Sequence, residues 1–184
     1  MDKQEEISAI LGVHGDITSS NYLGLPSLIG RSKKRVFGFI KEIVCKHIDS
    51  WKPKQISRSG KTFLLKNVAQ FLPAYCMTCF LLPKIMMQEI ERQFNAYWWC
   101  SGSGGGKGVK WMSWEGMTSP KHRGGLGFRS MHGFNIALLG KHIWRCIQNP
   151  DLIVSRVLKT RYFPHGSILT ASKGVNPSFI WSGI

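Results

Sequence analysis

The stretch SRSGKTFLLKNV, residues 57–68, decides how the chain is read. Gly60-Lys61-Thr62 has the ending of a nucleotide-binding P-loop, followed by an apolar run suited to a helix. A P-loop also needs an earlier glycine and an apolar strand leading in, so that successive backbone N–H groups cradle phosphate. The required glycine falls at Gln55, and the approach is Trp51-Lys52-Pro53-Lys54, which is no strand. Both conditions fail. The segment reads instead as a helix start, with a serine cap at Ser57 or Ser59 and a small residue, Gly60, at a close contact. Such a start, carrying Arg58 and Lys61, suits a phosphate of a nucleic-acid backbone.

Apolar periodicity extends outward from this segment. Val36, Phe37, Ile40, Ile43, Val44, His47, Ile48 and Trp51 recur at helical spacing, with Ser32 as cap and Pro53 just past the end. The other face carries Lys33, Lys34, Arg35, Lys41 and Lys46. The helix opened by SRSGKT turns Phe63, Leu64, Val68 and Phe71 inward. Pro73 either kinks it or separates it from the apolar stretch 74–82. Pro83 opens a third helix through Ile85, Met86, Ile90, Phe94, Tyr97 and Trp98. SGSGGGKG, residues 101–108, is a flexible linker or hairpin tip. Val109 to Met112 reads as a short strand, and 124–127 as a turn. Residues 130–148 form a long helix with Phe134, Leu138, Ile143 (or Leu139) and Ile147 on one side, stopped by Asn149-Pro150. A short helix spans 151–162, and the tail from Pro164 is loop-like. Before all this, residues 3–12 suit a short helix and 13–30 are turn-rich. The organisation is a lead-in (1–30), a compact helical unit (31–100), the Gly-rich linker (101–108) and a partial unit (109–184). The fold class is mainly α.

Composition narrows the function. The chain has 184 residues, and its 43% hydrophobic content suffices for a core. Twenty-five Lys and Arg stand against ten Asp and Glu, a net charge of +15 that points to a polyanionic partner. The bias is local as well. Residues 31–66 hold eleven Lys/Arg and two acids; residues 107–145 hold seven and one. Trp51, Trp98, Trp99, Trp111, Trp114 and Trp144 are interleaved, suited to stacking on bases where exposed and to core packing where not. No apolar run reaches the roughly 18 residues of a membrane span. The acidic start Met1–Glu6 has neither a secretory h-region nor the look of a transit peptide, so the expected location is intracellular (nucleus, cytoplasm or an organelle) with five reduced cysteines.

Motifs for chemistry fail on spacing. Cys76-Met77-Thr78-Cys79 is half a zinc knuckle with no second pair, and reads as buried small side chains of a helix. Gly125-Leu126-Gly127 lacks the third glycine of a dinucleotide fingerprint. His132 and His142 lie ten residues apart on one helix, about 15 Å of rise, too far for one metal. The aspartates are only Asp2, Asp16, Asp49 and Asp151, so no carboxylate set for two-metal polymerase or nuclease chemistry is present. No catalytic residue, metal or cofactor is expected.

Several segments now line up in order: ILGV, NYLGLPSLIGRSKK, WKPKQISRSGKTFLLKNVAQFLPAYCM, LPKIMMQEIERQFNAYWW, VKWMSWEGMTSPKHRGGLGFRSMHGFNIALLGKHIWR and RYFPHGSILTA. Together they resemble the region just after the polymerase core in plant LINE-type (non-LTR) retrotransposon reverse transcriptases, over nearly the whole chain. The resemblance implies a helical thumb-like bundle followed by a short β-strand or hairpin and further helices, the connection toward zinc-binding and RNase H segments. It implies contact with a template–primer duplex or its RNA, with the polymerase core as a further partner. The Gly-rich tract and His132-Gly133 inside the connection helix depart from the family's look and would weaken packing there. The expected phosphate contacts are Lys33, Lys34, Arg35, Lys41, Arg58 and Lys61, positioning rather than reading bases. The alternative is a degenerate retrotransposon-derived reading frame with no activity of its own.

Overall fold

The computed structural model describes residues 37–100 and 108–183, together with the backbone of 21–22 and 25–26. The chain divides into two units, Met1–Val36 and Phe37–Ile184. In the first, β1 (Asn21–Tyr22) pairs antiparallel with β2 (Leu25–Pro26), Asn21 opposite Pro26 and Tyr22 opposite Leu25, inside the segment read as turn-rich. The expected helix over 3–12, Ser32 and residues 101–107 of the linker lie outside the described residues, but the helix that Ser32 was expected to cap begins at Gly38, with Phe37 at its cap position and no side-chain cap.

Every regular element described in the second unit is helical. They are α1 (Gly38–Trp51), α2 (Arg58–Leu64), α3 (Ala74–Cys79), α4 (Lys84–Trp99), α5 (Trp114–Thr118), α6 (Met131–Gln148) and α7 (Ile153–Tyr162). Local signals set their ends. Ser57, Ser113 and Ser130 each accept the backbone N–H three residues on, capping α2, α5 and α6. Pro83 precedes α4, and Asn149 ends α6. Pro73 separates α2 from α3. His132 and Gly133 sit in the capped first turn of α6 rather than its interior, where glycine costs helix stability.

The core lies between α1, α3, α4 and α6. α1 buries Ile40, Val44 and Ile48 on one stripe, with Phe37 ahead of it. α4 buries Met86, Met87, Ile90, Phe94 and Tyr97 against α1 and α6. An aromatic chain extends the core: Phe94 meets Trp114 at 5.5 Å, and Trp114 meets Phe128 at 4.8 Å between ring centroids.

Three expectations are corrected. Val109–Met112 is not a strand: the segment is irregular, with Val109 and Trp111 in solvent. β-branched and aromatic residues favour strands only where a neighbouring strand pairs with them, and none does among the described residues. After α2 the helix widens into a π-turn, Leu65–Ala69, which shifts the register. Leu65, Ala69 and Gln70 face inward, and Phe63 and Phe71 are exposed. On α6 the buried face is Met131, Asn135 and Leu139, while Phe134 and Leu138 are half-buried and Ile147 is exposed. α3 stops at Cys79, with Phe80 N–H closing its last turn on the Cys76 carbonyl, and the chain runs on extended from Phe80 through Leu82. Asn135, fully buried, serves that backbone: its Nδ2 donates to the carbonyls of Met77 (2.8 Å) and Phe80 (2.9 Å), and its Oδ1 accepts from Leu82 N–H (2.9 Å).

Candidate nucleic-acid interface

The connection between α1 and α2 and the first turn of α2 line an open groove of about 430 Å³. Lys52, Lys54, Gln55, Ile56, Ser57 and Lys61 form its walls. The Ser57 cap receives Gly60 N–H at 3.2 Å. A Cβ on Gly60 would lie 2.7 Å from Ile56 Cγ2, so the glycine is the small residue that lets this turn close. Lys52 pairs with Asp49 at 2.5 Å. Lys54 is exposed and makes no ion pair among the described residues.

The expected contact residues divide by position. Arg58 and Lys61 come together, because α2 packs against the C-terminal end of α4. The Arg58 guanidinium lies 4.8 Å from the Trp98 ring centre and 5.3 Å from that of Trp99. Lys61 donates to the Cys100 carbonyl and lies 5.4 Å from the Tyr97 ring. Trp98 Nε1 donates to Thr62 Oγ1 at 3.0 Å, fixing the platform under Arg58. Lys41 sits apart, paired with Glu89 of α4 at 2.6 Å, and that hydrogen bond pushes its pKa up. Its charge is met within the protein. Lys33, Lys34 and Arg35 lie outside the described residues.

A second basic cluster, not singled out from the sequence, surrounds the segment 117–129. Lys66 leaves the π-turn to donate to the Leu126 carbonyl (2.7 Å) and lies 5.2 Å from the Phe128 ring. Arg129 lies 4.8 Å from Phe71 and 5.0 Å from Phe134. Burial, then the charges of Lys121 and Arg129, pull the Lys66 pKa below the ordinary lysine value. The count of seven basic residues against one acid over 107–145 was the signal available in the sequence.

No family model matches the chain, and no solved structure matches it. It is 40% identical over 114 residues to the uncharacterized mitochondrial protein AtMg00310 of Arabidopsis thaliana, covering 61% of this chain and 73% of that protein. The chain belongs to the AtMg00310 family. It is also 30% identical over 158 residues to an Arabidopsis thaliana protein named "Putative ribonuclease H protein At1g65750". That alignment covers 86% of this chain and 25% of the relative, so the chain spans about a quarter of that protein's length.

In this member of the AtMg00310 family, Cys76 is buried, and burial pushes its thiol up to about 11. It is a protonated core side chain at neutral pH, whereas Cys79, also expected to be buried, is half-buried. Among the described residues, no three His, Cys, Asp or Glu side chains are grouped to hold a metal ion. Glu91 is the half-buried carboxylate that sequence reasoning passed over. It accepts Met131 N–H at 2.7 Å, at the start of α6, and burial raises its pKa. Its place is at a helix terminus, where a negative charge is favoured. No described helix is long and apolar enough to cross a membrane.

Proposed function

We propose that this chain is a non-catalytic, nucleic-acid-binding segment of a retroelement reverse transcriptase, thumb-like in its helical part. It holds the backbone of RNA or of an RNA–DNA duplex. The observation that carries the reading is the groove at the start of α2, lined by Lys52, Lys54 and Lys61, with Arg58 exposed on the same first turn of α2 over Trp98 and Trp99. Arg58 is oriented on two tryptophan rings but keeps its N–H edge for a phosphate. Lys61 spends one donor on Cys100 and has two more. Side chains already held in place lose less conformational freedom when a phosphate arrives. Relatedness to a much longer protein named for ribonuclease H supports the view of a segment of a larger polyprotein.

The test is filter binding of the whole chain to an RNA–DNA duplex over a salt series. Affinity falls steeply with salt, and the Lys54→Gln/Arg58→Gln variant reduces the log–log slope by about 1 to 2, since each phosphate contact contributes about 0.7–0.9. A flat salt response of the wild-type chain refutes the reading. Primer extension by the isolated chain gives no product; robust incorporation overturns the non-catalytic assignment.

A further inference from the structure

We propose that the closed loop from Met117 to Arg129, backed by Lys66, is a second and preorganised phosphate clamp, separate from the groove at α2. The proposal rests on the nucleic-acid reading above and adds a site to it.

The loop is built to hold one shape. Leu126 N–H and Phe128 N–H both donate to the Met117 carbonyl, at 3.0 and 3.3 Å. Gly127 N–H reaches Ser119 O at 3.0 Å, and Gly125 N–H reaches Pro120 O at 3.2 Å. Gly124 (φ 82°) and Gly127 (φ 63°) take left-handed conformations that other residues rarely adopt. Gly125 is buried, and a Cβ there would fall 2.0 Å from the Ser119 carbonyl oxygen. That contact is with backbone, so no side-chain movement relieves it. Phe128, buried under Trp114, anchors the far end.

What this frame presents is positive charge. The turn Lys121–Arg123 at its tip reads Lys-His-Arg, all three exposed. Lys66, held by the Leu126 carbonyl and the Phe128 ring, and Arg129, held against the Phe71 and Phe134 rings, flank it. Among the described residues, the charges that lower the Lys66 pKa are those of Lys121 and Arg129, both cationic. Glu115, the one acid between Lys107 and Arg145, is on α5 and exposed. Like charges gathered on a rigid frame repel one another, and a polyanion placed among them relieves that repulsion. A flexible basic tail would disperse the same charges at no such cost. The geometry therefore suits a phosphodiester backbone rather than a base edge, because it offers cations without a fixed pattern of acceptors.

The experiment compares three chains by filter binding to an RNA–DNA duplex across a salt series. They are the wild type, Lys121→Gln/Arg123→Gln at the loop tip, and Lys159→Gln/Arg161→Gln on α7, which removes the same net charge elsewhere. Thermal unfolding followed by circular dichroism checks that each variant folds as the wild type does. The tip variant is expected to lower the salt slope by about 1.5, two contacts at about 0.7–0.9 each. The α7 variant is expected to leave the slope near the wild-type value. A tip variant with an unchanged slope overturns the clamp while leaving the groove reading standing. Equal losses in both variants also overturn it, because net charge alone then accounts for binding. Absence of wild-type binding at low salt refutes the nucleic-acid reading itself, and the clamp with it.

Discussion

Replacing Asn135 should unfold much of the chain's margin of stability, although the residue is no part of either basic surface. Its side chain is 0% exposed and makes three hydrogen bonds of 2.8 to 2.9 Å to the backbone at Met77, Phe80 and Leu82. Phe80 N–H closes the last turn of α3 on the Cys76 carbonyl, and beyond it Asn135 takes the Phe80 carbonyl and the Leu82 N–H. Asn135→Ala leaves two carbonyls and one N–H in the interior without that partner. Each such group costs about 1–3 kcal/mol. A water entering the space left by the shorter side chain recovers part of this. The expected loss is about 3 to 5 kcal/mol, a large share of the roughly 5–15 kcal/mol of a typical domain. Asn135→Leu separates polarity from packing: it fills the volume, excludes the water and leaves the same groups unpaired. It should cost at least as much as alanine. Urea unfolding followed by tryptophan fluorescence gives both midpoints at constant slope. A leucine variant as stable as the wild type would refute the reasoning, because packing rather than hydrogen bonding would then account for Asn135.

Gly125→Ala drives a Cβ into the Ser119 backbone and should destabilise by about 1–3 kcal/mol in urea unfolding. Gly60→Ala should cost less than Gly125→Ala in the same assay: its clash is with a side-chain methyl of Ile56 rather than with backbone, and helix propensity returns up to about 1 kcal/mol. Glu91 titrates above its unfolded value near 4.5, so the folded chain binds its proton more tightly between the two pKa values. Its contribution is greatest below pH 4.5 and falls as pH rises through the folded pKa. The stability difference between wild type and Glu91→Gln should therefore shrink or reverse over that window, and a difference constant with pH contradicts it. Cys76 should resist iodoacetamide at pH 8 in the folded chain and react once urea unfolds it, read by peptide mass spectrometry; rapid labelling of the folded chain would show that the thiol is not buried.

Signals carried within a few residues were legible from the chain alone. The missing glycine at Gln55 excluded a P-loop, and Ser57 capping with Gly60 at a close contact gave the helix start that the fold contains. Pro83 and Asn149-Pro150 placed two boundaries, and Pro73 marked a third position as either a kink or a break, because proline and capping groups act on adjacent backbone whatever lies across the core. The α1 stripe was legible for a similar reason: Ile40, Val44 and Ile48 repeat without a break in helical register. The excess of positive charge was equally plain.

Tertiary structure decided which side chains those charges and stripes became. The π-turn at Leu65–Ala69 moved the inward face past the reach of a 3.6-residue pattern. Asn135 is polar, so no hydrophobic pattern marks it as core; it is buried because the unpaired backbone after α3 needs donors and an acceptor there. Val109–Met112 has strand-like residues but no strand to pair with among the described residues. Lys41 and Lys61 look alike as letters, yet one is matched by Glu89 and the other is brought beside Arg58 at the groove. Charge is additive along a sequence, whereas the field at a surface depends on distances between groups far apart in the chain. Lys121 and Arg129 come within electrostatic reach of Lys66 only when the fold closes.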